Sequence, residues 1–383
     1  MTVRRRIAQG ILAGAMVVGL VTPTFAAGNL QKKFESANPV DVVKVATSIG
    51  EVNDVTGRIT YVSAVEKTDH NLRIHAYHIN GSQQIVGSDV ELGGTVWDVD
   101  IARVGGGGHV VAAVQDANNK LRLVSYDVTS GTNNEEITPL QSFGTTIAVA
   151  PASEIAIVDA SPLSARDFVT AVRTSSNAMQ IDSWSLSDDG KTFTRLDTYT
   201  ALNTVGQIAM ESDYVNSSRR FATAAVNANG NMVLSIWNTT STGQIVLEGT
   251  HTRGVVAYFD LAFSSNRLYV VAHHFGGTGE VQFYAIGTNG SITHQAEGPL
   301  PAKAYAAEIY DMTDGTAVLT MVGTNDQLVQ WTITRSDNQL IAGNQVGMQR
   351  SAEHLDGVRF DNSLFYVIEE ADVNNLFHQL WTY

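Results

Sequence analysis

The chain has 383 residues, of which 44% are apolar and 16% charged, and this balance is typical of a globular protein and not of a disordered one. Lys and Arg number 24 against 38 Asp and Glu, so the formal net charge is −14. Because phosphate binding needs a basic face, this acidic balance argues against nucleic acid as a partner. Cysteine is absent, so the fold must rest on its core and hydrogen bonds without disulfides.

Residues 1–26 are predicted to be a secretory signal peptide. Three arginines at positions 4–6 precede an apolar run over residues 11–21, and the small residues Ala26 and Ala27 follow Pro23. We expect cleavage after Ala26 and a secreted or periplasmic mature protein, with a net charge of 21 − 38 = −17. The alternative is an uncleaved anchor, but the apolar run is short against the roughly 20 residues of a membrane span. No later apolar run approaches that length, so the mature chain is predicted to have no transmembrane segment.

Residues 27–39 are interpreted as an N-terminal tail or a short helix over 30–38. Beyond them, one pattern recurs seven times: an apolar run rich in β-formers, a polar turn, and a second run that ends in an aromatic. The second copy, HVVAAVQDANNKLRLVSYDV, is representative. Subtraction of residue numbers gives spacings of 49, 58, 53, 47, 47 and 50 between these aromatics. They are Tyr77, Tyr126, Trp184, Trp237, Tyr284, Trp331 and Trp381.

Short runs of Val, Ile, Leu and Tyr broken by turns such as Asn80-Gly81 are strand and hairpin signals. Four strands in about 50 residues fit one propeller blade. The chain therefore resembles the seven-bladed β-propeller superfamily over roughly residues 40–383, on repeat number and rhythm alone, because the WD40, kelch and calcium-loop signatures are missing. The resemblance implies one all-β domain of four-stranded antiparallel blades. An open or six-bladed ring is the alternative.

The last copy ends at Tyr383 after its third strand, so it lacks a fourth. Residues 40–45 (VDVVKV) are predicted to supply it as an outer strand, so that an N-terminal strand closes the ring. Residues 31–39 are the alternative source of this strand.

Every strand of a meander reverses direction, so the starts of first strands and the turns between second and third strands share one face. We expect any ligand or metal site on this face, at the mouth of the central channel. Imidazole and carboxylate together suit a divalent metal or an acid–base pair. The candidates for ligand binding are Trp97, Asp98, His251, Arg253, Glu353 and Glu369, and those for a metal are His274 and His354. The alternative is that these are ordinary solvated loop residues.

The pattern favours a secreted binding or scaffold propeller that recognises a protein or a small ligand through the loops of one face. The alternative is a propeller enzyme, a metal-assisted lyase or hydrolase, although no catalytic residue can be assigned. A carbohydrate-binding propeller with one site per blade is less favoured, because the turns between second and third strands differ in every copy. The seven repeated aromatics are predicted to pack between blades, whereas Trp97 stands outside that series as a stacking candidate.

Overall fold

A computed structural model describes residues 31–38, 42–53, 58–79, 85–105, 108–130, 135–140, 146–151, 154–160, 166–203, 206–212, 219–264, 266–275, 278–302, 304–312, 316–323, 327–352, 354–360, 363–370 and 375–382. The predicted signal peptide lies outside these residues. Every regular element within them is a β-strand, so the prediction of an all-β chain is confirmed. The described part of the chain contains no helix with the length and apolar character of a membrane span.

The strands form antiparallel meanders, which we number as units in chain order. The first strand, β1 (Gln31–Asn38), precedes the units. Unit 1 consists of β2 (Val42–Asn53), β3 (Arg58–Lys67), β4 (Leu72–Ile79) and β5 (Ile85–Gly93). Unit 2 consists of β6 (Val96–Arg103), β7 (His109–Asp116), β8 (Lys120–Ser130), β9 (Glu135–Pro139) and β10 (Thr146–Pro151), and both β9 and β10 pair with β8.

The next two units follow the same plan. Unit 3 consists of β11 (Ile155–Asp159), β12 (Asp167–Arg173), β13 (Ala178–Leu186) and β14 (Phe193–Asn203). Unit 4 consists of β15 (Ile208–Ser212), β16 (Arg220–Val226), β17 (Asn231–Thr239) and β18 (Ile245–Val255).

Units 5 and 6 are joined through their outer strands. Unit 5 consists of β19 (Tyr258–Ser264), β20 (Arg267–His273), β21 (Gly279–Ile286) and β22 (Ile292–Pro299). Unit 6 consists of β23 (Ala304–Asp311), β24 (Ala317–Gly323), β25 (Gln327–Ser336) and β26 (Gln339–Ser351). A parallel bridge between Glu297 and Gln339 links β22 to β26 and makes one eight-stranded sheet of the two units.

Unit 7 combines the two ends of the chain. It consists of β27 (His354–Phe360), β28 (Ser363–Glu370) and β29 (Asn375–Thr382), with β1 paired to β29 as its fourth strand. The short helix predicted over 30–38 is therefore wrong, because these residues use their backbone groups in a strand ladder. The placement of 40–45 as an outer strand is wrong as well: from Val42 onward this segment is the start of β2, which pairs with β3.

The first strands of the units surround a central channel. β2 contacts β6, and the contacts continue through β11, β15, β19 and β23 to β27, which contacts β2 in turn. Second strands such as β7 and β12 are buried along almost their whole length, because neighbouring units cover both of their faces. The outer strand β18 is largely exposed instead. Burial thus falls from the second strand to the rim.

The repeated aromatics are buried on the third strand of each unit and pack against the preceding unit. Within its own unit, the Trp184 ring stacks on Phe168 and its indole N–H donates to Thr170 Oγ1 at 2.9 Å, while unit 2 residues such as Val111 complete the cluster around it. Trp237 repeats both contacts, with its indole N–H donating to Thr223. The prediction that this series serves packing between sheets is confirmed.

Candidate functional site

A polar cluster lies where unit 1 meets unit 2. We call it the junction cluster, and it comprises Lys44 on β2, Glu66 on β3, His70 in the β3–β4 turn, and Trp97 and Asp98 near the start of β6. The meander topology brings them together, because the end of a second strand and the start of the next unit's first strand lie on the same face. This is the face on which the sequence predicted a site.

His70 holds an unusual backbone conformation in this cluster. Its φ is 62°, in the left-handed region, and its amide donates to the Lys67 carbonyl at 2.8 Å. The same turn bond is made in later units by Asn119, Asn177 and Gly230, which also have positive φ. Gly adopts this conformation freely, and Asn and His are the other residue types that often do. Unit 1 thus places an imidazole at a turn position where later units have Asn or Gly.

The ring of His70 is oriented by a buried carboxylate. Its Nδ1 lies 2.9 Å from Glu66 Oε1, and the Glu66 side chain is only 2% exposed. Burial raises the pKa of Glu66, while the contact with His70 and the nearby Lys44 charge act in the opposite direction. An ionised carboxylate only accepts, so Glu66 fixes the proton on Nδ1, and Nε2 of the neutral ring is then an acceptor.

Asp98 holds three units together. Lys44 of unit 1 donates to its Oδ1, which also accepts the Val99 amide at 3.0 Å, and its Oδ2 accepts the Ile155 amide of unit 3 at 3.0 Å. The residue is buried. Asp98 was predicted to bind a ligand directly, and in the structure both of its carboxylate oxygens accept hydrogen bonds from the protein. Its position indicates a supporting role beneath the cluster.

Trp97 is the most exposed member of the junction cluster. Its side chain is 45% exposed, and its ring centroid lies 4.0 Å from that of His70 at an interplanar angle of 42°. At the corresponding junction of units 4 and 5, the Val256 amide donates to the Gly230 carbonyl as Val96 donates to His70, so Ala257 takes the place of Trp97. The exposed aromatic pair is therefore absent at that described junction. The structure brings the predicted stacking residue together with an oriented imidazole.

Four of the first strands that surround the channel carry carboxylates whose charges act on one another. Asp100, Glu211, Asp260 and Asp356 lie on β6, β15, β19 and β27, and each remains partly accessible to solvent. Asp100 accepts the Ile157 amide of the next unit at 2.8 Å, and Asp260 and Asp356 accept amides of their next units in the same way. These acids thus tie adjacent first strands together.

We call Asp100, Glu211, Asp260 and Asp356 the channel acids, and burial raises the pKa values of three of them. Burial, with the charges of Asp260 and Asp100, raises the pKa of Glu211 to about 8. Burial, with the charge of Asp100, raises the pKa of Asp356 to about 7, and burial raises that of Asp100 to about 6. Glu211, Asp356 and Asp100 therefore take up protons at a pH where free carboxyl groups are ionised.

Three residues predicted to meet at the channel mouth lie elsewhere. His251 and Arg253 lie on β18, the outermost strand of unit 4, because this strand runs on to Val255 and the first strand of unit 5 begins only at Tyr258. His274 follows β20, and its Nδ1 lies 2.9 Å from the Val255 carbonyl oxygen. The predicted convergence of these groups at the channel is therefore wrong.

At the rim, these residues form an ion-pair network with unit 5. Arg253 pairs with Glu297 and lies 3.9 Å from Glu280, which is also 3.9 Å from His274 Nε2. Burial, then the charge of Arg253, lowers the pKa of His251. A shallow groove of about 490 Å³ adjoins the network and is lined in part by His274, Glu280 and Glu297. The network satisfies its own charges, which favours a structural role between units 4 and 5.

The remaining candidates are only partly described. Glu353 lies outside the described residues. His354 and Glu369 are paired in the register of β27 and β28, on the face that the sequence predicted. Among the described residues, no group of three or more His, Asp or Glu side chains is arranged to hold a metal ion. The prediction of a metal at His274 and His354 gains no support from this arrangement.

Two members of the junction cluster, Lys44 and Glu66, were not identified from the sequence. Each lies within a segment that reads as an apolar strand, VVKVAT and VSAVEK. The charged residue within each apolar run was the available signal. A charged side chain on a buried strand needs a polar or charged partner, so it indicates a buried polar contact.

No protein-family model and no curated protein matches the chain. Among solved structures, a mutant of AofleA from Arthrobotrys oligospora is 13% identical, with a TM-score of 0.53 over 82% of this chain and 92% of that one. A hypothetical selenium-binding protein from Sulfolobus tokodaii is 12% identical, with a TM-score of 0.51 over 75% of each chain. A lectin from Aleuria aurantia, described as a six-bladed β-propeller, is 12% identical with a TM-score of 0.49 over 80% of this chain and 97% of that one.

At these identities the likeness concerns the fold alone. Four-stranded antiparallel sheets whose first strands surround a channel define a β-propeller. The chain is a β-propeller, and its function has to be argued from its own residues.

Proposed function

We propose that this protein is a non-catalytic binding propeller that takes a sugar or a similar polyhydroxylated small molecule on the junction cluster. The observation that carries the proposal is the exposed Trp97 ring beside His70, whose imidazole is oriented by Glu66. An aromatic face stacks on the apolar face of a sugar, and the His70 Nε2 acceptor would receive one of its hydroxyl groups. Small-molecule sites typically combine an aromatic wall with a small number of well-placed polar groups.

A sugar panel tests the site directly. Binding is followed by Trp fluorescence and titration calorimetry on wild-type protein, Trp97→Ala and His70→Asn. We expect Trp97→Ala to weaken binding about 10- to 100-fold through loss of stacking, and His70→Asn about tenfold through loss of one hydrogen bond. Because Trp97 is exposed, the Trp97→Ala substitution should change the free energy of unfolding of the protein by less than about 1 kcal/mol.

The matched control is Val255→Ala, which removes an exposed apolar side chain at the equivalent edge of unit 4. This variant should bind like the wild type. Saccharide binding that persists unchanged in Trp97→Ala would move the site away from the junction cluster, and no binding across the panel would contradict the proposed ligand class.

A second proposal is a propeller enzyme in which His70 acts as a general base. The Glu66–His70 contact supports it, since a carboxylate that orients an imidazole is a common arrangement in acid–base catalysis. Turnover of a bound saccharide that is lost in Glu66→Gln, while binding persists, favours the enzyme. Binding without turnover favours the non-catalytic protein.

We infer further that the ring has seven blades and is closed by β1. The support is the set of four-stranded units in the described chain, the circle of contacts among their first strands, and the pairing of β1 with β29. Pairing of the two chain ends within one sheet removes the exposed edge that an open ring would leave.

Export is proposed on the charged, apolar and small-residue pattern of residues 1–26. We expect the mature chain to begin at Ala27 and to be found in the periplasm or the medium. N-terminal sequencing of the exported protein checks this, and a chain that begins at Met1 and stays with the membrane pellet would contradict it.

A further inference from the structure

Two histidines are buried where the first and last units of the chain meet. His75 on β4 and His378 on β29 are 1% and 0% exposed, and their ring centroids are 6.2 Å apart. Tyr77 lies beside both, with centroid distances of 5.8 Å to His75 and 4.0 Å to His378. Apolar residues of both units, among them Val45 and Leu380, pack around this contact.

His378 breaks the repeat at a core position. It stands three residues before the repeated aromatic of its unit. The other units have only buried aliphatic residues there, namely Ile74, Leu123, Ile181, Leu234, Val281 and Leu328. Among the seven units, an imidazole thus takes this position only in unit 7, whose last strand packs against unit 1. Because the other six units pack an aliphatic residue at this position, packing within a unit does not explain the histidine.

Burial holds both rings neutral. It lowers the pKa of His75 to about 3, with a further contribution from the charge of Arg73. Burial and the neighbouring His75 lower the pKa of His378 well below its ordinary value. A histidine exposed to water would titrate near 6.5. Each ring therefore gains a proton below neutral pH only if the contact opens.

Among the described residues of β4 and β5, the charged groups near His75 are paired with one another. On β4, Arg73 is paired with Glu91 at 3.1 Å and lies 3.4 Å from Asp89, the residue that faces His75 in the β4–β5 register. The titratable His78 also lies on β4 and is buried.

The other neighbouring strands place uncharged residues opposite the two histidines. β3 places Ser63 opposite His75 in the register. β28 and β1 place Val367 and Ser36 opposite His378. Glu35 of β1 is one position further, opposite Gln379.

We propose that the contact between units 1 and 7 is an acid-sensitive latch, held closed by neutral His75 and His378 and opened when both are protonated. The direction of the effect follows from linkage between proton binding and closure. Below the ordinary histidine pKa near 6.5, the open form binds more protons than the closed form, so closure weakens as the pH falls. At pH 4.5, two pH units below that value, each histidine favours the open form by about 100-fold.

Hydrogen–deuterium exchange on the full chain at pH 7.0 and 4.5, corrected for intrinsic rates, tests the latch. We expect protection of β4 and β29 to fall at least 100-fold at pH 4.5, while β17 of unit 4 stays protected. The double variant His75→Val with His378→Leu restores the residue types of other units and should keep its protection at both pH values. The control His251→Leu alters a rim histidine and should behave as the wild type.

Equal loss of protection in β4, β29 and β17 would overturn the latch, as would a double variant with the wild-type pH response. If the double variant does not fold, NMR titration of histidine rings in wild-type protein decides. We expect two rings to stay neutral until the signals of units 1 and 7 change together. Two rings that instead titrate near 6.5 within unchanged units would also overturn the proposal.

Discussion

Removal of Gln31–Asn38 is expected to lower the free energy of unfolding on the order of 5 kcal/mol, because it deletes the outer strand of unit 7 and the main-chain hydrogen bonds of its ladder. The register joins β1 to β29 from Gln31↔Thr382 to Asn38↔Leu376. Without β1, β29 becomes an unpaired edge although it carries core residues such as Leu380 and Trp381. The melting temperature should fall by roughly 10 °C.

Calorimetry of chains that begin at residue 27, 31 and 39 checks this expectation. Loss of 27–30 alone is the control and should have little effect. A synthetic peptide of residues 31–38, added in excess, should restore much of the lost stability by strand addition, whereas a scrambled peptide should not. Equal melting temperatures for the chains that begin at 31 and 39 would contradict closure through β1.

Much of this fold could be predicted from the sequence, because each unit repeats the same physical need. A third strand that packs against the preceding unit requires a large apolar side chain, so Trp184 and Trp237 recur at matching positions and reveal the period. The N-terminal strands could not be placed in this way. VDVVKV reads equally as a first strand or an outer strand, and only the contacts of β2 with β6 and β27 decide.

The candidate site was predictable only where a local signal exists. Trp97 stood out as an aromatic residue outside the repeated series. Glu66 and Lys44 depend on how units 1 and 2 face each other, which no local pattern encodes. His251 and Arg253 were misplaced because β18 extends further than its turn signals indicated, so these side chains lie at the rim.

The channel acids and the latch histidines give this propeller two opposed responses to pH. The native state holds protons on Glu211 and Asp356 that the unfolded state releases, so their contribution to stability falls as pH rises. Buried neutral His75 and His378 act in the opposite sense, since their contribution falls as pH drops below about 6.5. The two responses therefore oppose each other between about pH 4.5 and 6.5, and above about 6.5 only the loss from the acids remains.

Glu211→Gln is expected to stabilise the protein at alkaline pH by roughly 2–4 kcal/mol and to have little effect at pH 4.5. The pKa of Glu211 is raised to about 8, so the folded state favours the protonated form. Its contribution is fully present below the ordinary glutamate value near 4.5 and is lost as pH rises to about 8. Glutamine keeps the shape of the protonated side chain without the proton, which removes this loss.

Urea unfolding of both proteins at pH 4.5, 6.5 and 8.5 measures the effect. Glu211 suits this test better than Asp100 or Asp356, because each aspartate accepts an amide of the next unit and its replacement would also break that bond. Asp188→Asn, at a fully exposed carboxylate, is the control and should leave the pH profile unchanged. The gain should shrink when Asp100 is also replaced by Asn, because the charge of Asp100 contributes to the raised pKa of Glu211. Parallel pH profiles for wild type and Glu211→Gln would show that this carboxylate is solvated in the channel like a free glutamate.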